Sequence, residues 1–206
     1  VRDEELLKRT VPDFDIIIPL AAIVGAPQCD LNPIDAKLIN RDAVININKI
    51  RSTNQKLIFP NTNSGYGTTT GELFCTEETP LRPLSIYGRT KTEAEKIMLS
   101  LPNCTAYRFA TAYGLSPRMR LDLLINEFTY QAVKQKYLVI YQSHFMRTFI
   151  HVRDIAKSIL FAIDNRDKMK GQIYNAGGDK FNYSKKQICE ILAAKTGTYV
   201  HYADVG

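Results

Sequence analysis

Tyr87 and Lys91 stand four residues apart in Tyr87-Gly88-Arg89-Thr90-Lys91. On a helix that spacing puts both side chains on one face. A phenol loses its proton near pH ~10, so it is no base at neutral pH unless positive charge lies close. Moving it to ~7 takes about 4 kcal/mol. One ammonium ~4–5 Å away supplies roughly 3–4 kcal/mol at an effective dielectric of ~20. Burial of the phenol works against this gain, so a second cation would complete the activation. The pattern occurs again as Tyr130-Gln131-Ala132-Val133-Lys134. Spacing alone therefore does not separate a base from a half-buried tyrosine beside a solvated lysine.

The elements around each pair decide. Asp15 to Ala22 is an apolar run ending in small residues, and it reads as a buried parallel strand. A long helix is expected from about Pro33 to Ile50, with Pro33 in its first turn. Residues 56–60 form a second strand, which runs into the polar loop Asn61–Gly67. Pro80 and Pro83 punctuate the next loop, and Ser85 can cap a helix reaching about Leu99. A third strand covers 105–109. Strands alternating with helices predict an α/β fold, a Rossmann-like doubly wound parallel sheet with a smaller C-terminal lobe. We expect residues 1–114 to form the dinucleotide-binding part. Residues 115–206 would be mainly the substrate-binding lobe, with the chain able to cross back to the sheet. In that lobe helices are expected over 121–134, from His151 to about 164, and over 184–196. Short strands are expected at 137–141, 147–150, 172–175 and 199–202.

In open α/β sheets ligands bind beyond the carboxyl ends of the strands. Leu20-Ala21-Ala22 offers backbone and small side chains there, Thr62 a hydroxyl, and Ala110-Thr111-Ala112 a third strand end. The helix carrying Tyr87 and Lys91 lies between the second and third strands in chain order. Tyr130 and Lys134 have no such partners.

Bulk properties narrow the class. The 206 residues are 45% hydrophobic and 23% charged, as in an ordinary globular protein. No apolar run approaches the ~18–20 residues that span a bilayer, and no membrane partner is expected. Cys29, Cys75, Cys104 and Cys189 are widely spaced, which reads as free thiols in a reducing, cytoplasmic compartment. His144, His151 and His201 lack metal-ligand spacing, so no metal is expected. The net charge of +6 is scattered, which suits an anionic small substrate better than nucleic acid.

In their order along the chain these motifs resemble the extended short-chain dehydrogenase/reductases, specifically the NAD-dependent nucleotide-sugar epimerase/dehydratase family. Leu20-Ala21-Ala22 resembles that family's H-L-A-A, with Pro19 in place of His. Asn40, with Ala43 and Val44, resembles its N-x-x-G-T. Thr62, four residues before Tyr66-Gly67, resembles the catalytic Ser/Thr of S-x-x-x-Y-G. Tyr87 and Lys91 match Y-x-x-x-K. Residues 147–154 resemble R-D-F-I-H-V-x-D, and Tyr174-Asn175-Ala176-Gly177 resembles Y-N-x-G.

The resemblance implies NAD as cofactor, with NADP the alternative, and a nucleotide-diphosphate sugar as substrate. It implies Thr62, Tyr87 and Lys91 as catalytic residues. Leu20, Ala21, Ala22, Asn40, Tyr87, Lys91 and Ala110 would line the cofactor. Thr62, Thr111, Asn126 and Arg147 would contact the substrate, Thr111 standing where relatives often carry Asn. Each also has a plainer reading: a helix-to-loop hydrogen bond for Asn40, a surface ion pair for Arg147, a packed histidine for His151. Dehydratases of the family carry Asp-Glu directly after the Ser/Thr, where this chain has Asn63 and Ser64. The expectation is therefore an epimerase. A dehydratase or keto-sugar reductase is the alternative within the family, and a non-catalytic dinucleotide-binding or scaffold relative the alternative outside it. The resemblance also implies a homodimer through helices about 33–50 and 85–99. The family's first strand and G-x-x-G-x-x-G turn have no counterpart here, and Val1-Arg2-Asp3 resembles the end of a D-V-R-D that follows its third strand. The chain thus resembles the middle of a longer enzyme.

Overall fold

A computed structural model describes residues 1–67 and 74–203. By contacts the chain divides into two units. The first holds Val1–Phe109 and Lys157–Asn175; the second holds Ala110–Ala156 and Ala176–Gly206.

In the first unit α1 (Glu4–Thr10) leads to β1 (Ile16–Ile17), and α2 (Ala26–Leu31), α3 (Pro33–Lys37) and α4 (Ala43–Ile50) follow. Then come β2 (Lys56–Thr62), α5 (Ile86–Leu99) and β3 (Cys104–Phe109). The unit also takes most of α7 (Val152–Asp164), α8 (Arg166–Met169) and β7 (Gln172–Ala176). The sheet runs β1-β2-β3-β7, and β1–β2 and β2–β3 are parallel. β2 and β3 are buried almost throughout, in keeping with their apolar centres, and the polar residues they carry are buried with them. Leu57, Phe59, Cys104 and Ala106 pack with Ala94 and Met98 of α5 and with Val44 and Ile47 of α4. α5 is thereby fixed on the sheet, and its N-terminus is capped by Ser85, whose hydroxyl accepts from Gly88 N at 3.0 Å.

In the second unit β4 (Thr111–Tyr113), β6 (Met146–His151) and β8 (Asn182–Ser184) form one sheet. β5 (Tyr137–Tyr141) pairs in parallel with β9 (Tyr199–Ala203). α6 (Leu124–Lys134) and α9 (Lys185–Thr196) contribute Ala132 and Cys189 to a core with Leu138 and Ile140. Ser184 and Gln187 form a capping box at the start of α9.

Two expected elements differ. The strand expected over Asp15–Ala22 is only Ile16–Ile17, because Pro19 has no N–H to continue the ladder and the segment beyond it is irregular. The single helix expected over Pro33–Ile50 is interrupted by a π-helical turn at Leu38–Asp42. Asn40 sits inside that turn, and such bulges favour functional positions.

Candidate functional site

β2 carries Thr62 as its last residue, 8% exposed. Thr62 Oγ1 accepts from Ser64 N at 3.2 Å and lies 3.1 Å from Ser64 Oγ, capping the short helical turn Asn63–Gly65. α5 packs on that turn. Gly88 makes the approach possible: a Cβ there would meet Ser64 O at 2.9 Å and Pro83 Cβ at 3.1 Å. Gly67 closes the same loop at φ +71°, where a Cβ would lie 2.1 Å from Arg82 O. The glycine inside the Tyr-Lys motif is thus a packing requirement that brings α5 against the segment holding Thr62.

Tyr87 is half-buried and Lys91 is 4% exposed. Lys91 Nζ donates to Pro60 O at 2.5 Å and lies 4.2 Å from the centroid of the Phe59 ring. Both contacts come from β2, so the lysine is anchored to the strand that ends in Thr62. Burial pulls its pKa down from 10.5 to about 7, opposed by the charge of Glu95. Burial thus weakens the proton affinity of the lysine one helical turn from Tyr87.

A buried polar network adjoins the lysine. Arg108 of β3 grips Glu95 of α5, Nη2 to Oε1 at 2.7 Å and Nε to Oε2 at 3.1 Å. Asn61 Nδ2 donates to Glu95 Oε2 at 2.5 Å. Arg108 Nη1 donates to Tyr66 Oη at 2.8 Å and to Glu77 O at 3.0 Å, while Tyr66 Oη donates to Asn175 Oδ1 at 2.6 Å. Asn175 N in turn donates to Glu77 Oε1 at 2.6 Å. Sequence reasoning singled out none of Glu95, Arg108 or Asn61 as functional. The signals were there: Glu95 repeats the four-residue step from Lys91, and Arg108 is a charge inside a buried strand.

The small-residue segment past β1 is open to solvent, Leu20 being 68% exposed and Ala21 also exposed. Asn40 is fully buried, and both amide atoms are bonded to Ile23, accepting from its N–H and donating to its C=O at 2.8 Å each. It holds the backbone just past Ala22.

In the second unit, Ala110 N donates to Ala176 O at 2.9 Å. Thr111 opens β4 opposite Phe149. Asn126 is buried, accepting from Gly114 N at 3.2 Å and donating to Arg120 O at 3.0 Å. It clasps the loop between β4 and α6. Arg147 is exposed on β6, opposite Tyr183. His151 packs edge-on to Tyr113, ring centroids 5.2 Å apart, and its Nδ1 accepts from Arg153 N. Tyr130 is exposed on α6, on a different element from Thr62. Among the described residues all four cysteines are free, no group of three or more His, Cys, Asp or Glu could hold a metal ion, and no helix is long and apolar enough to cross a membrane.

The parallel sheet, its polar strand ends and the Tyr/Lys helix between β2 and β3 define a Rossmann-type α/β protein. The chain belongs to the NAD dependent epimerase/dehydratase family, whose sequence model matches residues 1–177. It is 34% identical over 159 residues to an uncharacterized UDP-glucose epimerase of Bacillus subtilis (strain 168), covering 73% of this chain and 48% of that protein. It is 31% identical over 113 residues to an uncharacterized 37.6 kDa protein of Escherichia coli O111:H-, covering 52% and 33%. It thus spans about half or less of the length of these curated relatives. Solved structures with the same fold include a UDP-glucose 4-epimerase with UDP-glucose from Thermotoga maritima (TM-score 0.84, 21% identity, 100% of this chain and 70% of that one). Another is a dTDP-glucose 4,6-dehydratase from Streptomyces venezuelae with NAD bound (TM-score 0.84, 20% identity, 98% and 64%).

Proposed function

We propose that this chain carries the catalytic centre of an NAD-dependent nucleotide-sugar epimerase, with Tyr87 as the acid/base, Lys91 as its charged support and Thr62 as the hydroxyl that holds the reacting oxygen. The observation that carries the reading is the joint anchoring of Lys91 and Thr62 on β2, with α5 packed on the turn that Thr62 caps. Residues present fit a dinucleotide. The open Leu20-Ala21-Ala22 segment, fixed from behind by Asn40, admits a close approach of the ligand to backbone. Lys91 offers an ammonium for a ribose hydroxyl, and Ala110 a small side chain at the end of β3. Bound NAD supplies reversible oxidation of a sugar carbinol to a ketone.

The chain's own groups handle the proton. Tyr87 Oη accepts it from the sugar hydroxyl as the carbon is oxidised and returns it when the ketone is reduced. An ammonium at Lys91 and a phenolate at Tyr87 stabilise each other, so the base forms when it is needed. Thr62 donates to the developing ketone oxygen. Thr111, Asn126 and Arg147 are proposed to contact the nucleotide end of the substrate, Asn126 by shaping its loop and Arg147 by meeting a diphosphate.

Asn63 and Ser64 support the epimerase reading over the dehydratase. Neither can transfer the proton that elimination of a sugar hydroxyl requires, and Ser64 is engaged with Thr62. A homodimer through α3–α4 and α5, and a cytoplasmic role in carbohydrate synthesis, complete the proposal. The test is the whole protein with NAD and UDP-glucose or UDP-galactose. Interconversion of the two sugars is expected. A 4-keto-6-deoxy product would assign the dehydratase, and no turnover with any nucleotide sugar would remove the enzymatic reading.

A further inference from the structure

Glu95 is 1% exposed, two turns from Tyr87 and one turn from Lys91 on the same face of α5. A carboxylate buried so deeply persists only if it is paired and hydrogen-bonded. Here Arg108 grips both of its oxygens and Asn61 adds a third donor. Its negative charge is thereby fixed at one place beside the lysine. Among the described residues no carboxylate is bonded to Lys91; its bonded acceptor is the neutral carbonyl of Pro60.

We propose that Glu95 is a positioning residue that sets the charge state of Lys91, with Arg108 and Asn61 holding its carboxylate in place. β2 presents the Pro60 carbonyl and the Phe59 ring, neither of which titrates. α5 itself presents Tyr87 and Glu95. From β3, Arg108 is bonded to Glu95, and Tyr66 to Arg108. Arg41 of the π turn is bound to Asp42 and to Glu93, away from this face. Glu95 is thus the one fixed negative charge among the described residues that opposes the desolvation of Lys91, in keeping with the upward pull it exerts on that ammonium. Without it Lys91 would turn neutral at lower pH, and the phenol would lose its support in the range where the enzyme works.

Coupling between Glu95 and Lys91 does not depend on the catalytic reading, but its consequence for the reaction rests on it. The experiment is NMR titration of Lys91 in the whole protein, labelled with 13C at lysine Cε and assigned by loss of one signal in Lys91→Met. Glu95→Gln is expected to lower the titration midpoint by roughly one unit or more. Glu95→Asp should restore most of it. If Glu95→Gln does not fold, Glu95→Gln with Arg108→Met removes the pair together and leaves no unpartnered charge. There the midpoint should still fall, by less. The alkaline limb of kcat against pH should move down with the midpoint. A midpoint unchanged in whichever folded variant is measured would overturn the proposal. If the midpoint moves while wild-type protein turns over no nucleotide sugar, the coupling stands and the function proposed above fails.

Discussion

Lys91 is the residue on which most of the proposed chemistry turns, and its position is costly. Folding removes an ammonium from water and returns only a carbonyl, an aromatic face and the field of Glu95. Its folded pKa of about 7 lies below the ordinary 10.5, so between these values the unfolded chain holds a proton that the folded chain has released. Stability from this group therefore rises as pH rises from about 7 towards 10.5, and the full cost is felt below 7. Lys91→Met should raise thermal stability at pH 6, and the gain should shrink steadily to pH 10. Melting temperatures across that range check it; a gain independent of pH would mean that the lysine is not desolvated. The same variant should lose turnover.

Thr62, Tyr87 and Lys91 were legible as candidates because their types are unusual for what surrounds them: a hydroxyl ending a buried strand, and a phenol and ammonium one helical turn apart. Asn40 was legible as a position but ambiguous in role. Either a ligand or a loop could occupy its amide, and only the bonds to Ile23 show that it grips the loop. Glu95 and Arg108 were not read as a pair because they lie thirteen residues apart on different elements. Nothing local marks a buried ion pair whose partners meet only after the sheet has formed.

At the scale of elements, the contact between α5 and the turn after β2 determines the site. It tolerates no side chain at position 88, where an added Cβ would stand 2.9 Å from the carbonyl of Ser64. Gly88→Ala should cost about 1–3 kcal/mol in urea unfolding, because backbone rather than a flexible side chain must yield. It should also lower kcat more than it raises KM, since the displaced groups are those proposed to act on the reacting oxygen. Native stability and full activity in the Gly88→Ala variant would show that the approach is not needed. The helix itself was readable from Pro80, Pro83 and the cap at Ser85, and its observed span, Ile86–Leu99, begins right after that cap. The π turn at Leu38–Asp42 was not readable, because the apolar pattern on either side is compatible with one continuous helix. The early end of β1 follows from Pro19, which the apolar character of its neighbours masks.

For the whole molecule, the alternation of strands and helices was enough to predict a parallel α/β sheet, since β2 and β3 are buried and each carries a largely apolar stretch. The order β1-β2-β3-β7 was less accessible. β7 joins after a long excursion through the second unit, and its short, partly exposed sequence says nothing about its neighbour. These 206 residues hold the proposed nicotinamide-side groups without a glycine-rich phosphate turn of the kind that binds a pyrophosphate through backbone N–H groups. Alone, they should bind NAD with an affinity weaker than micromolar. Calorimetry on this chain measures it, and micromolar or tighter binding would mean that the pyrophosphate is held by groups not assigned here.

The central claim is that the phenol of Tyr87 moves the proton of a sugar hydroxyl. Tyr87→Phe in the whole protein removes that one oxygen and leaves the ring. With UDP-hexose and NAD, kcat should fall by at least ~10³-fold while the affinity for the nucleotide sugar stays within a few-fold of wild type. Turnover within ten-fold of wild type would contradict the account.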